Sequence, residues 1–143
     1  MKRLLSLFLS ILLLLPLFSC SMQEEPLTEG LRLYGMNNEQ SRLGGDVITY
    51  TVVPWSDLPE GREAQATAVV ERLLRSTEDY RSPLPSGTSL RSVTLSGSTA
   101  YVDLSSSYYQ LSDIALTIAD YCITLSLTQL TGIYAATITV EGR

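Results

Sequence analysis

Asp103 stands in the run Ala100-Tyr101-Val102-Asp103-Leu104, directly before Ser105-Ser106-Ser107 and Tyr108-Tyr109. A carboxylate beside hydroxyls can contact a ligand or partner, or it can accept backbone amides and shape the turn after a strand. The turn-shaping role is the one these residue types favour. The chain has no histidine, which removes Ser-His-Asp and Cys-His catalysis and most zinc sites. It also has no glycine-rich phosphate loop. Two acids at the right separation can cleave glycosides, and adjacent acids occur at Glu24-Glu25 and Glu78-Asp79. The first pair falls in a polar N-terminal segment and the second at a helix end, where solvated charge is the ordinary role. Cys122 reads as a small buried apolar residue, free cysteine being among the most buried types. Trp55, between Pro54 and Pro59, and Tyr108-Tyr109 are candidate partner contacts, since aromatics are enriched at interfaces. The expectation is no catalytic residue, no metal and no cofactor.

The second cysteine sits in a different setting. Lys2 and Arg3 precede an uncharged apolar run, Leu4 to Leu15, which Pro16 breaks before Leu17-Phe18-Ser19-Cys20. Positive start, apolar core and a small residue before the cut are the parts of a secretory signal. The run falls short of the ~20 residues a membrane span needs. Leu17-Phe18-Ser19-Cys20 resembles the bacterial lipobox, with Phe18 bulkier than is usual there. The resemblance implies cleavage before Cys20, a diacylglycerol on its thiol, and attachment to a membrane surface through acyl chains worth ~0.8 kcal/mol per buried methylene. An ordinary signal peptide with an incidental cysteine is the alternative. Residues 1–19 are thus the expected signal, 20–29 a flexible tether, and 30–143 a single domain outside the cytoplasm.

Cleavage would remove Lys2 and Arg3, leaving eight arginines against fifteen acids, a formal balance of −7. An acidic chain without lysine argues against nucleic acid and offers no polybasic handle for anionic lipid. With Cys20 acylated, Cys122 would have no partner in the chain.

The elements follow from patterning. Leu31 to Tyr34 alternates as a short strand, and Asp46 to Val53 is rich in β-branched residues and stops at Pro54. Ala66, Val69, Val70, Leu73 and Leu74 recur at helical spacing between Glu63 and Ser76. Pro83, Pro85 and Gly87 mark a connector. Leu90–Leu95 and Thr99–Leu104 flank Ser96-Gly97-Ser98 as a hairpin. From Ser112 or Asp113 to about Leu130 a helix is apolar over most of its surface, through Ile114, Ile118, Tyr121, Cys122, Leu125 and Leu130. Such breadth predicts burial on two sides. Tyr134 to Glu141 is a last strand. The order β-β-α-β-β-α-β predicts an α+β domain with both helices on one face of a mixed or antiparallel sheet.

In this order and spacing the chain resembles a GerMN domain, a module named for sporulation and spore-germination proteins of bacteria. The resemblance rests on Leu31-Arg32-Leu33-Tyr34, on Val70 to Leu74, on Pro83-Leu84-Pro85-Ser86-Gly87-Thr88, and on Ala100-Tyr101-Val102-Asp103-Leu104-Ser105. It continues through Ile123-Thr124-Leu125 with Thr128, Thr131-Gly132-Ile133 and Thr139-Val140-Glu141-Gly142. Ser76-Thr77 departs from the family's frequent Gly-Pro, and the chain stops at Arg143 where many members continue. The resemblance implies a non-enzymatic assembly module of the cell envelope, often carried on lipoproteins, with a link to sporulation or germination. The expected partners are the membrane through lipidated Cys20 and an envelope protein or a second copy, the latter two through a strand edge, with the first strand as candidate. The alternative is a cell-wall glycan-binding module or an enzyme acting on the wall.

Overall fold

The computed structural model describes residues 30–38 and 46–143. The expected signal segment 1–19, Cys20 and the tether 20–29 lie outside the described residues. The elements are β1 (Gly30–Met36), β2 (Ile48–Pro54), α1 (Arg62–Leu73), β3 (Leu90–Ser96), β4 (Thr99–Leu104), α2 (Asp113–Leu127) and β5 (Ala135–Val140). Two 3₁₀ turns, Trp55–Asp57 and Ser106–Gln110, follow β2 and β4. This is the expected α+β order.

The strands divide between two sheets. β1 and β2 form an antiparallel pair in which Leu33 opposes Thr51 and Tyr34 opposes Tyr50. In the other sheet β4 is central, antiparallel to β3 and parallel to β5. A parallel pair needs a long crossover, and α2 supplies it. The β3–β4 register shifts between Leu90 and Ser92, where Arg91 is set apart from the ladder.

Alternation and helical period meet in one core. β1 contributes Leu31 and Leu33, and α1 contributes Ala66, Val69, Val70 and Leu73. The second sheet adds Val93, Ala100, Val102 and Leu104, and α2 adds Ala119, Ile123 and Leu127. Tyr80 is almost fully buried and donates its hydroxyl to the Arg72 carbonyl at 2.8 Å, so a buried polar tip is satisfied. Its ring lies against Gly35, where a Cβ would fall 2.2 Å from Tyr80 Cδ2. Only glycine admits that approach.

α2 differs from expectation in one respect. It buries Cys122, Ile123, Ser126 and Leu127, but Ile114 is 76% exposed, Tyr121 58% and Leu125 37%. The apolar breadth is real; only one side is covered. The first strand is likewise not an open edge. Arg32 N donates to Gln129 Oε1 (2.9 Å), and Gln129 Nε2 donates to Arg32 O (2.7 Å). Tyr34 N donates to Ser126 Oγ at 3.0 Å, and Met36 exchanges backbone bonds with Arg81. Side chains at and just past the C-terminal end of α2 therefore take the place of a neighbouring strand.

Candidate functional site: a groove beside the last strand

The turn after β4 carries the residues singled out from sequence, and it gathers some of them. Tyr108 and Tyr109 sit on the 3₁₀ turn and line a groove of about 430 Å³. The opposite wall is Leu116, Asp120 and Thr124 of α2, and the floor is Ala136, Ile138 and Val140 of β5. The floor residues share one face of β5 because side chains alternate along a strand.

Tyr108 is nearly buried and donates its hydroxyl to Asp120 Oδ1 at 2.5 Å. Burial, with the hydrogen bond and negative charge of Asp120 added, drives its pKa far above the ordinary tyrosine value. It is a neutral donor, not a base. Tyr109 is 64% exposed and reaches the Val140 carbonyl at 3.4 Å. An apolar trough with one occupied carboxylate can hold an apolar side chain; it does not present an acid and a base across a gap.

Asp103 lies outside this trough and forms a clasp. Its Oδ1 accepts from Gly142 N (2.8 Å) and Thr139 Oγ1 (3.0 Å), and its Oδ2 accepts from Arg91 Nε (2.9 Å). Arg91 Nη1 donates to Glu141 Oε2 at 2.8 Å, and Glu141 Oε1 accepts from Ser106 N at 2.9 Å. The Gly142 amide, with Arg91 and Thr139 behind it and burial opposing, holds the Asp103 carboxyl below its usual range. The clasp fixes the ends of β4 and β5 and the start of the tyrosine turn. Glu141 adopts a positive φ of 54° within it, a left-handed conformation rare outside glycine. Asp103 thus accepts a backbone amide, but that of Gly142 beyond β5; the turn after β4 is held instead by Glu141 through Ser106 N.

Trp55 is 44% exposed on the other 3₁₀ turn and does not line the groove. The sequence reading missed Asp120 and the Arg91–Glu141 pair. Asp120 interrupts an otherwise apolar helix, and that interruption was the available signal. It also missed aromatics on the outer face of the β1–β2 pair. There the Tyr34 and Tyr50 ring centroids are 5.7 Å apart at 55°, with the Arg32 guanidinium 5.0 Å from the Tyr50 centroid.

Cys122 is fully buried, and burial pushes its thiol up to about 11, the state of an inert structural cysteine. Glu78 and Asp79 are both exposed. Among the described residues, no three metal-ligating side chains cluster and no helix is long and apolar enough to cross a membrane.

The same arrangement of strands and helices occurs in the first GerMN domain of the sporulation protein GerM from Bacillus subtilis. The TM-score is 0.62 at 20% identity, over 80% of this chain and 84% of that one. The tandem GerMN domains of the same protein match with a TM-score of 0.61 at 21% identity, over 80% of this chain and 39% of theirs. No curated protein matches. The family model Germane, described as sporulation and spore germination, matches residues 32–143. Over residues 32–143 the chain belongs to that family of GerMN domains.

Proposed function

We propose that this protein is a non-enzymatic lipoprotein of the cell envelope, held at a membrane surface by acylated Cys20. Its domain binds another envelope protein and so helps assemble a complex, in the setting of sporulation or germination. The observation that carries this reading is the uncovered side of α2. Ile114, Ile118, Tyr121 and Leu125 recur at intervals of four, three and four residues, so they share one face. No charge interrupts that stripe. Burying a fully exposed large apolar side chain contributes ~1.5–3 kcal/mol; Ile114 and Tyr121 come nearest to that, and Leu125 and the half-buried Ile118 contribute less. Exposed contiguous apolar surface marks interaction sites. The tyrosine groove adjoins the same helix through Leu116, Asp120 and Thr124.

The test is crosslinking in native membranes followed by purification of the full chain, with Ile114→Glu and Tyr121→Glu beside the unaltered protein. An envelope protein captured by the unaltered chain and lost from both variants is expected. Equal capture by all three would sink the reading. Recovery of wall fragments alone would turn it towards glycan binding. For the anchor, Cys20→Ala should leave the membrane fraction; retention there would refute acylation at that residue.

A further inference from the structure

β2 has an open outer edge whose sequence is its own complement. The N–H groups of Arg32, Tyr34 and Met36 all point away from β2, to Gln129, Ser126 and Arg81. Bonding alternates along an antiparallel ladder, so Thr49, Thr51 and Val53 bond to β1. Ile48, Tyr50 and Val52 turn their N–H and C=O groups outward. No described residue partners them there. Pro54, next in that alternation, has no N–H and ends the edge.

Open edges are normally guarded by charge, bulge or proline. β3 has Arg91 and a register shift at its edge. On β5, the Val140 N–H is taken up by the Arg143 carbonyl. β2 has no charge and no irregularity from Ile48 to Val52. Read outward from Tyr50, the strand is symmetric in chemical type: Ile48-Thr49-Tyr50-Thr51-Val52.

We infer that two copies of this chain pair antiparallel through β2, about a two-fold axis at Tyr50, joining two two-stranded sheets into one of four strands. In that register Ile48 meets Val52 of the second copy, threonine meets threonine, and Tyr50 meets Tyr50. These are the β-branched, Thr–Thr and aromatic pairs that favour cross-strand contact, and no like charges stand opposite one another within the strand; the Thr51 hydroxyl also donates to Asp79 Oδ2 at 3.4 Å. Each outward residue exchanges both of its backbone bonds with its opposite. A closed two-fold contact needs such self-complementarity, because each surface must match itself. The pairing uses neither the lipid nor the α2 stripe.

The register can be read by thiol trapping. Directly opposed residues in a hydrogen-bonded antiparallel pair lie ~5.5 Å apart at Cα, within disulfide reach. The full chain with Cys20→Ala has only Cys122 left, which is buried. In that background, purified in mild detergent, Tyr50→Cys should oxidise to a covalent dimer. Val52→Cys alone should not, because two copies of that position lie about four residues, or ~13 Å, out of register. Mixed with Ile48→Cys it should crosslink. Sedimentation should show a dimer for the parent chain and a monomer for Val52→Lys, with thermal melts confirming that each variant folds. Ile114→Glu should remain dimeric, which separates failure of this pairing from failure of partner binding on α2. Equal crosslinking of Tyr50→Cys and Val52→Cys, a monomeric parent, or trapping of Val52→Cys by Ile138→Cys instead of Ile48→Cys would each overturn the inference.

Discussion

Replacing Gln129 should cost more than a surface substitution normally does. Its side chain accepts from Arg32 N at 2.9 Å and donates to Arg32 O at 2.7 Å and to Leu125 O at 2.8 Å. Gln129→Met keeps the length of the side chain and removes the bonds that Gln129 makes to both backbone groups of Arg32. Each lost bond costs about 1 kcal/mol net, and the site is only partly buried, so water can recover some of it. The expected loss is about 2 kcal/mol, against a total of ~5–15 kcal/mol for a domain. For a domain of this size that corresponds to roughly 8 °C in Tm. Urea denaturation measures the loss, and hydrogen exchange locates it: the Arg32 amide should lose protection while Leu33, bonded to β2, keeps its own. A stability change under about 0.5 kcal/mol, the range of ordinary surface substitutions, with Arg32 still protected would refute the claim that α2 seals β1.

Three further outcomes follow from the same coordinates. Gly35→Ala should destabilise the domain by about 1–3 kcal/mol in thermal melts, because the new methyl must displace the buried Tyr80 ring and overpacking costs that much. Asp103 is depressed in the folded protein, so its contribution is full above the ordinary carboxylate pKa of about 3.9 and disappears as pH falls through the lower folded value. Melts in acid should show that loss for the parent chain, and Asp103→Asn should flatten it. Cys122 should resist a thiol reagent in the native state and react once the chain is unfolded, since its thiol is buried and raised to about 11.

The local signals in the sequence were strong where a single element carried them. Thr99–Leu104 alternates buried and exposed residues as its pattern requires, and Ala66, Val69, Val70 and Leu73 all face the core. What the pattern could not show is which apolar surface finds a cover. α2 reads as apolar nearly all round, and periodicity does not distinguish Ile123, which is buried, from Ile114, which is not. The division into two sheets was also hidden, because it depends on Gln129 and Ser126 reaching β1 across 97 and 92 residues. Asp103 was legible as an acid that accepts a backbone amide, but the amide is that of Gly142 and not of the serines that follow it. Its partners Arg91, Thr139 and Gly142 were not legible, since they come from two other segments of the chain, β3 and the end of β5 with the turn after it.

The sealing of β1 by α2 also sets an order of events in folding. A chain delivered N-terminus first makes β1 and β2 long before Ser126 and Gln129 arrive. Until then the hairpin is a two-stranded ribbon, marginal on its own in water, with both edges bare. Contacts of such long sequence separation form slowly, because loop closure precedes any gain from them. The interval before α2 docks is therefore when this chain is most open to mispairing with a neighbour. A variant that speeds α2 formation should raise the yield of folded protein without changing a single contact in the finished domain.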